Sequence, residues 1–204
     1  MKRSKLYKAR LSSYDRANSY SLEEALKLIQ AMPKPKFNET VDVAFKLGID
    51  TRQSDQNVRG AVTLPNGTGK NVKVVVVAEG DAAVAAEKAG ADEVGSSELI
   101  EKIKGGWIDF DVLIATPAAM KDVRTLGRVL GPRGLMPNPK TGTVTDDTAT
   151  AVKESKAGRV EFRADKGGAA HMPLGKVSFE TTALVENAET AINAILKARP
   201  ASTK

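Results

Sequence analysis

From Val41 to Leu47 the chain takes turns: Val41, Val43, Phe45 and Leu47 alternate with Asp42, Ala44 and Lys46. A period of two puts each set on its own face, which predicts a half-buried strand. Upstream, Leu22, Ala25, Leu26, Leu28 and Ile29 recur at helical spacing, and Ser21 and Glu24 precede them with the spacing of a capping box. This predicts a helix from Ser21 to about Met32, stopped by Pro33 and Pro35. After a polar loop over 51–60, residues 61–64 are extended and close on Pro65-Asn66-Gly67, so the two extended segments read as a wide hairpin.

At residue 72 the alternation gives way to a nearly continuous valine run ending at Ala78, the pattern of a strand buried on both faces. The units that follow repeat strand and helix: a helix over 81–89, a short strand at 92–94, a helix over 97–103, a strand over 110–115 and a helix over 118–130. After an open loop come Thr143-Val144 and a helix from Asp146 or Asp147 to Ala157, ended by Gly158. Strands alternating with helices of about ten residues specify a parallel sheet covered on both faces. Beyond Gly158 the period returns to two, over 159–163 and again over 175–180, with a turn at 165–168. Leu184, Ala188, Ala191, Ile192 and Ile195 then line one face of a last helix.

The two ends share a style that the middle lacks. The expected fold class is therefore α/β in two domains: a discontinuous α+β domain with an antiparallel sheet, 1–67 plus 159–204, and an inserted three-layer, Rossmann-like α/β domain, 68–158. The chain would cross between them near Gly67, Gly69 and Gly158, which are hinge candidates.

Charge follows the same division. The net charge is +6 with a pI near 9.4, yet 1–67 and 159–204 together carry +7 and 68–158 carries −1. A polyanionic partner for the split domain is the natural reading, with a solvated basic face as the alternative. The first ten residues hold five basic side chains and no acid, as a mobile basic arm or a frayed terminus would. No apolar run is long enough to span a bilayer and no secretory leader is recognisable, so a cytoplasmic location without a membrane partner is expected. With no cysteine and one histidine, a metal site or cofactor is not expected.

Candidate chemistry narrows further. Gly67-Thr-Gly-Lys70 lacks the spacing of a phosphate loop and precedes a strand instead of following one, and Glu79-Gly80-Asp81 would repel a pyrophosphate. The Asp109/Asp111 and Asp146/Asp147 pairs sit at element boundaries, where aspartate caps or turns. His171, between two predicted strands, has only Asp165 nearby as an orienting carboxylate and suits a phosphate or ribose contact better than catalysis. No catalytic group and no small-molecule substrate are indicated. Nine aromatic residues leave few stacking platforms, so recognition of folded RNA by shape is favoured over single-strand stacking. Residues 131–142, Gly-Pro-Arg-Gly-Leu-Met-Pro-Asn-Pro-Lys-Thr-Gly, can form neither helix nor strand interior and make a shaped basic loop.

Several runs carry a resemblance: Lys36-Phe-Asn-Glu-Thr-Val41, Lys46-Leu-Gly-Ile-Asp50, Ser54-Asp-Gln-Asn-Val-Arg-Gly60, Leu130-Gly-Pro-Arg-Gly-Leu-Met-Pro-Asn-Pro-Lys140, and Gly158-Arg-Val-Glu-Phe-Arg163 with His171 and Gly175-Lys176. In order along nearly the whole chain, they resemble the bacterial ribosomal protein L-one family of the mobile large-subunit stalk. The resemblance implies a non-enzymatic protein that binds rRNA stalk helices, contacts tRNA in the exit site and represses its own operon through the mRNA. A stand-alone RNA-binding chaperone or regulator of the same fold is the alternative. By the resemblance, the rRNA surface comprises Lys36, Phe37, Glu39, Thr40, Arg163, Asp165, Lys166, His171, Lys176 and Ser178. The tRNA candidates are Arg52, Arg59, Arg128, Arg133 and Lys140. Family members are expected to continue some twenty residues past the last helix with a strand and a loop of the rRNA surface, whereas this sequence stops at Lys204.

Overall fold

The structure, a computed structural model, describes residues 3–53 and 56–200. Lys2 of the basic run, Ser54-Asp55 of the matched run and the terminal Lys204 lie outside the described residues.

The first departure from expectation is at the N-terminus, where Lys5–Leu11 form a helix, α1. This basic segment is held by the Ser4 hydroxyl, which accepts from the Tyr7 amide at 3.1 Å, and by Arg10, which binds both Glu39 carboxylate oxygens at 3.0 and 2.6 Å and donates to the Pro33 carbonyl at 2.9 Å. The bidentate pair is formed 29 residues away in sequence, so no local pattern signals it. Helix α2 (Leu22–Ala31) opens with the complete capping box, Ser21 accepting from the Glu24 amide and Glu24 accepting from the Ser21 amide.

Strands β1 (Thr40–Lys46) and β2 (Arg59–Thr63) do not form the hairpin that their proximity suggested. Each pairs antiparallel with a strand from the far end of the chain, β1 with β7 (Ala169–Lys176) and β2 with β6 (Arg159–Arg163). The expected strand at 175–180 is thus displaced toward the N-terminus, and His171 lies inside β7 opposite Ala44, not in a hairpin loop. Pro173 is tolerated within the strand because it lies beside the register shift at Val41/Asp42, where the ladder is already interrupted. Both pairs pack their apolar faces with α2 and α8 (Thr181–Ala198) into one core that includes Leu26, Val41, Leu64, Phe162, Met172 and Leu184.

The middle of the chain follows its pattern closely. Strands β3 (Val74–Val77), β4 (Glu93–Gly95) and β5 (Val112–Ala115) form a parallel sheet in the order β4-β3-β5, and a parallel bridge from Ala115 to Val144 extends it. Successive valines of β3 point to opposite faces. Val74 and Val76 join Ala86 of α3 (Asp81–Lys88) and Ala151 and Val152 of α7 (Thr148–Ala157). Val75 and Val77 join Leu99 and Ile103 of α4 (Ser97–Lys104), Val123 of α5 (Met120–Val123) and Leu130 of α6 (Gly127–Leu130). The helix expected over 118–130 is therefore two short helices separated by a 3-10 turn at Arg124–Leu126. Asp147 caps α7 as expected, but Asp109 and Asp111 instead pair with Lys73 and Lys70 at 2.6 and 2.5 Å.

The chain enters and leaves this middle region at one point. Gly67 and Gly158 have φ of +64° and +108°, and a Cβ on Gly158 would lie 2.5 Å from the Gly67 Cα, so only glycine fits the approach. Asn187, fully buried on the apolar face of α8, fastens this point. Its amide nitrogen donates to the carbonyls of Gly67 at 3.0 Å and Leu174 at 2.7 Å, and its oxygen accepts from the Asn66 amide at 3.1 Å.

Candidate RNA interface

Alternation along β1 and β7 leaves one face of the ribbon outward, carrying Thr40, Asp42, Ala44 and Lys46 on one strand and His171 and Lys176 on the other. At its Thr40 end the register places Thr40 opposite Lys176, and the ammonium donates to the Thr40 hydroxyl at 2.9 Å. The segments flanking this pair are tied together: the Val177 amide donates to the Glu39 carbonyl at 3.0 Å, and the Asn38 amide donates to the Ser178 hydroxyl at 2.8 Å. Gln30 of α2 braces the same corner, donating to the carbonyls of Phe179 and Val177 and accepting from the Thr181 hydroxyl. Phe37 projects from this corner with 70% of its surface exposed, the most of any large apolar side chain among the described residues. Lys34, Phe37, Asn38 and Ser178 line a small concavity of about 120 Å³ there.

Lys36, Phe37, Thr40, Lys176 and Ser178 thus form one cluster, which the fold brings together from segments about 140 residues apart, as in the Asn38–Ser178 bond. Glu39 belongs to it differently. Both its carboxylate oxygens bind Arg10, so it anchors α1 against the cluster. Asp165 and Lys166 lie at the opposite end of the ribbon, where Lys46 pairs with Ala169; six residues of strand separate the two ends by about 20 Å. His171 lies toward this same far end, two residues from Ala169, with its Nε2 3.8 Å from Asp165. Arg163 pairs with Arg59 across β6 and β2. Sequence reasoning missed Gln30, Asn38 and Asn187; for Asn187 the signal was present, a polar residue at a core position of a helix.

A profile of the Ribosomal protein L1p/L10e family matches residues 27–204. The chain belongs to this family. It is 57% identical over 203 residues to the large ribosomal subunit protein uL1 of Lactiplantibacillus plantarum, with 100% of this chain and 89% of that protein covered. The family is an RNA-binding, structural one, so enzyme readings of the paired aspartates and of His171 fall away.

The tRNA candidates do not form one patch. Arg52 is exposed after β1, Arg59 is held by Glu161 at 3.6 Å, and Arg128 is exposed on α6. The glycine- and proline-rich loop divides into two parts: Gly131 to Gly134 are exposed with Arg133 outward, whereas Leu135 and Met136 pack on the core beneath and Pro137 is buried. Its end is pinned by Asn138, whose side chain accepts from the Lys140 amide at 2.8 Å and whose own amide donates to the Thr143 hydroxyl at 2.8 Å. Lys140 remains exposed. Arg133 and Met136 face Thr40, Pro173 and Lys176 across a cleft of about 430 Å³, whose walls also carry Arg159.

At the far end of the ribbon Asp165 builds the β6–β7 turn. Its carboxylate accepts from the amides of Ala169 at 2.9 Å and Gly167 at 2.8 Å, and these bonds, with His171 adding a smaller attraction, hold its pKa below the ordinary value of 3.8. A depressed carboxylate pKa stabilises the fold above the unfolded value, and that contribution is lost as pH falls through the folded value. Asp165→Asn keeps the acceptor oxygen but cannot titrate. In acid unfolding followed by circular dichroism, its stability should fall less steeply than that of the parent below pH 4, about the ordinary carboxylate value. Parallel curves would show that the turn does not depend on the charge.

Proposed function

We propose that the chain is a structural protein of the large ribosomal subunit that binds stalk rRNA through the outward face of β1–β7 and the Phe37 corner. The supporting observation is the corner itself, where an exposed phenylalanine shares a concavity with Lys34 and Ser178, the backbone there is tied by Asn38 and Gln30, and Lys176 bonds the Thr40 hydroxyl at the adjoining strand end. Lysines serve phosphate, hydroxyls serve ribose 2′-OH groups, and a fixed aromatic serves an apolar contact, the set needed for recognition of folded RNA by shape. The Lactiplantibacillus plantarum relative is a large ribosomal subunit protein, which supports the assembly.

The same reading assigns 1–67 plus 159–204 to an rRNA-binding domain and 68–158 to an inserted α/β domain, with Gly67, Gly69 and Gly158 as the hinge. It gives the exposed Arg133 and Lys140, with Arg52, Arg59 and Arg128, a transient contact to exit-site tRNA that assists its release. Repression of its own operon follows if the mRNA presents an rRNA-like site to the same corner. Salt titration of binding to a stalk-rRNA fragment, against a scrambled hairpin, tests the core of this reading. Log affinity for the fragment should fall with log salt by about 0.7–0.9 per phosphate contact, and Arg133→Ala with Lys140→Ala should shift it less than threefold. Equal binding to the scrambled hairpin refutes the rRNA assignment, and collapse in the double variant refutes the division of labour.

A further inference from the structure

The chain has only three tyrosines, and the fold gathers all of them. Tyr7 of α1, Tyr14, and Tyr20 ahead of α2 line a groove of about 480 Å³, floored by Leu28, Ile29 and Met32. Tyr7 and Tyr20 are each 38% exposed. Residues 3–20 hold Arg3, Lys5, Lys8, Arg10 and Arg16 against Asp15 alone, which is engaged in its own turn with the Ala17 amide. Arg10 is paired with Glu39, and the acids of α2 are themselves engaged, Glu23 by Lys27 and Glu24 by the Ser21 amide, so the remaining charge on the α1 side is positive. The Arg3 guanidinium lies 4.9 Å from the centroid of the Tyr7 ring, and Arg16 donates to the Tyr14 hydroxyl at 3.4 Å. An apolar floor walled by aromatic rings and rimmed by guanidinium groups matches a planar base carried on a phosphate chain.

We propose that the groove between α1 and α2 binds an unpaired RNA nucleobase, stacked on the Tyr7 and Arg3 planes, with its flanking phosphates held by the rim arginines. The inference rests on the RNA-binding reading above and adds a single-strand subsite to it. Position supports it: Arg10, which lines the groove, also bonds Glu39 and the Pro33 carbonyl, the segment that carries Lys34, Lys36 and Phe37. A strand leaving the Phe37 corner would reach the groove past the Arg10–Glu39 pair, whose charges offset one another. The sequence disfavoured stacking on the number of aromatics; their placement reverses that judgement for this one site.

The test uses the full chain and three probes: an eight-residue oligoadenylate, an abasic strand with the same phosphates, and a fully paired stalk hairpin. Oligoadenylate should bind at least fivefold more tightly than the abasic strand. Tyr7→Ala should erase that difference, a loss of about five- to hundredfold for one base stack, and Tyr7→Phe should retain it. The paired hairpin should bind parent and Tyr7→Ala equally. Equal binding of the abasic strand, no measurable oligoadenylate binding, an unaffected Tyr7→Ala variant or an equal loss on the hairpin each overturns the inference. Failure of the hairpin alone refutes the rRNA reading and leaves the groove standing. Because Tyr7→Ala could unwind α1, the parent chain is also cross-linked to a strand containing 4-thiouridine: adducts within residues 3–32 support the groove, and adducts elsewhere overturn it.

Discussion

Asn187→Leu is expected to lower the unfolding free energy by about 2 kcal/mol, although leucine has the same number of side-chain heavy atoms as asparagine and suits the apolar face of α8. The cost comes from the partners. Removing the side-chain amide leaves the Gly67 and Leu174 carbonyls and the Asn66 amide, all bonded to this residue, without their partner. The Leu174 bond is buried, and a buried polar group left unsatisfied costs about 1–3 kcal/mol; the Gly67 and Asn66 bonds are only part-buried, so water takes over part of their loss. Two of the three lie where the chain passes into the middle region, so hydrogen exchange at the Asn66 amide should accelerate beyond the change in global stability. Denaturant unfolding checks the first expectation, and a loss under about 1 kcal/mol would show that water replaces the amide at little cost.

The largest expected effect on binding is at the Phe37 corner. Replacing Lys36, Phe37 and Lys176 together by alanine should weaken stalk-RNA affinity by at least about a hundredfold, because hydrogen bonds to charged groups contribute about 1.5–3 kcal/mol each. The single variants divide this loss by mechanism. Lys36→Ala and Lys176→Ala should each reduce the salt slope by about 0.7–0.9, one phosphate contact apiece, whereas Phe37→Ala should weaken binding and leave the slope unchanged. A triple variant that binds within threefold of the parent would remove the corner from the interface.

What the sequence made legible was what is encoded locally. The Ser21/Glu24 capping box, the valine strand and the repeated strand–helix units each declare themselves within a dozen residues, and each appears where the pattern put it apart from the helix over 118–130, which a 3-10 turn divides. The partners of β1 and β2 were not legible, because their pairing is fixed by a common core with α8 formed across more than a hundred residues. The N-terminal part of β7 was not legible either, because Gly-Gly-Ala-Ala and Pro173 carry no clear alternation, and Pro173's missing N–H is harmless only next to the register shift. The helical N-terminus was hidden for the same reason as the pairing: its basic residues predict an arm until Glu39 is placed beside Arg10.

The candidate site divides along the same line. Residue types carried the Lys36–Thr40 and Lys176–Ser178 segments, and the resemblance joined them, but the supports that shape the corner, Asn38 and Gln30, come only from tertiary contacts. Glu39 shows the converse. Its place among the site residues was legible, but its engagement by Arg10 was not.

The central claim is that RNA binding resides in the two ends of the chain and needs nothing from the middle. Gly67 and Gly158 touch where the chain enters and leaves, so joining Gly67 directly to Arg159 requires little rearrangement. The decisive measurement is the affinity of that folded deletion variant for a stalk-rRNA fragment. The account predicts affinity within about tenfold of the full chain, with the preference over a scrambled hairpin preserved. A folded variant that has lost all binding would contradict it.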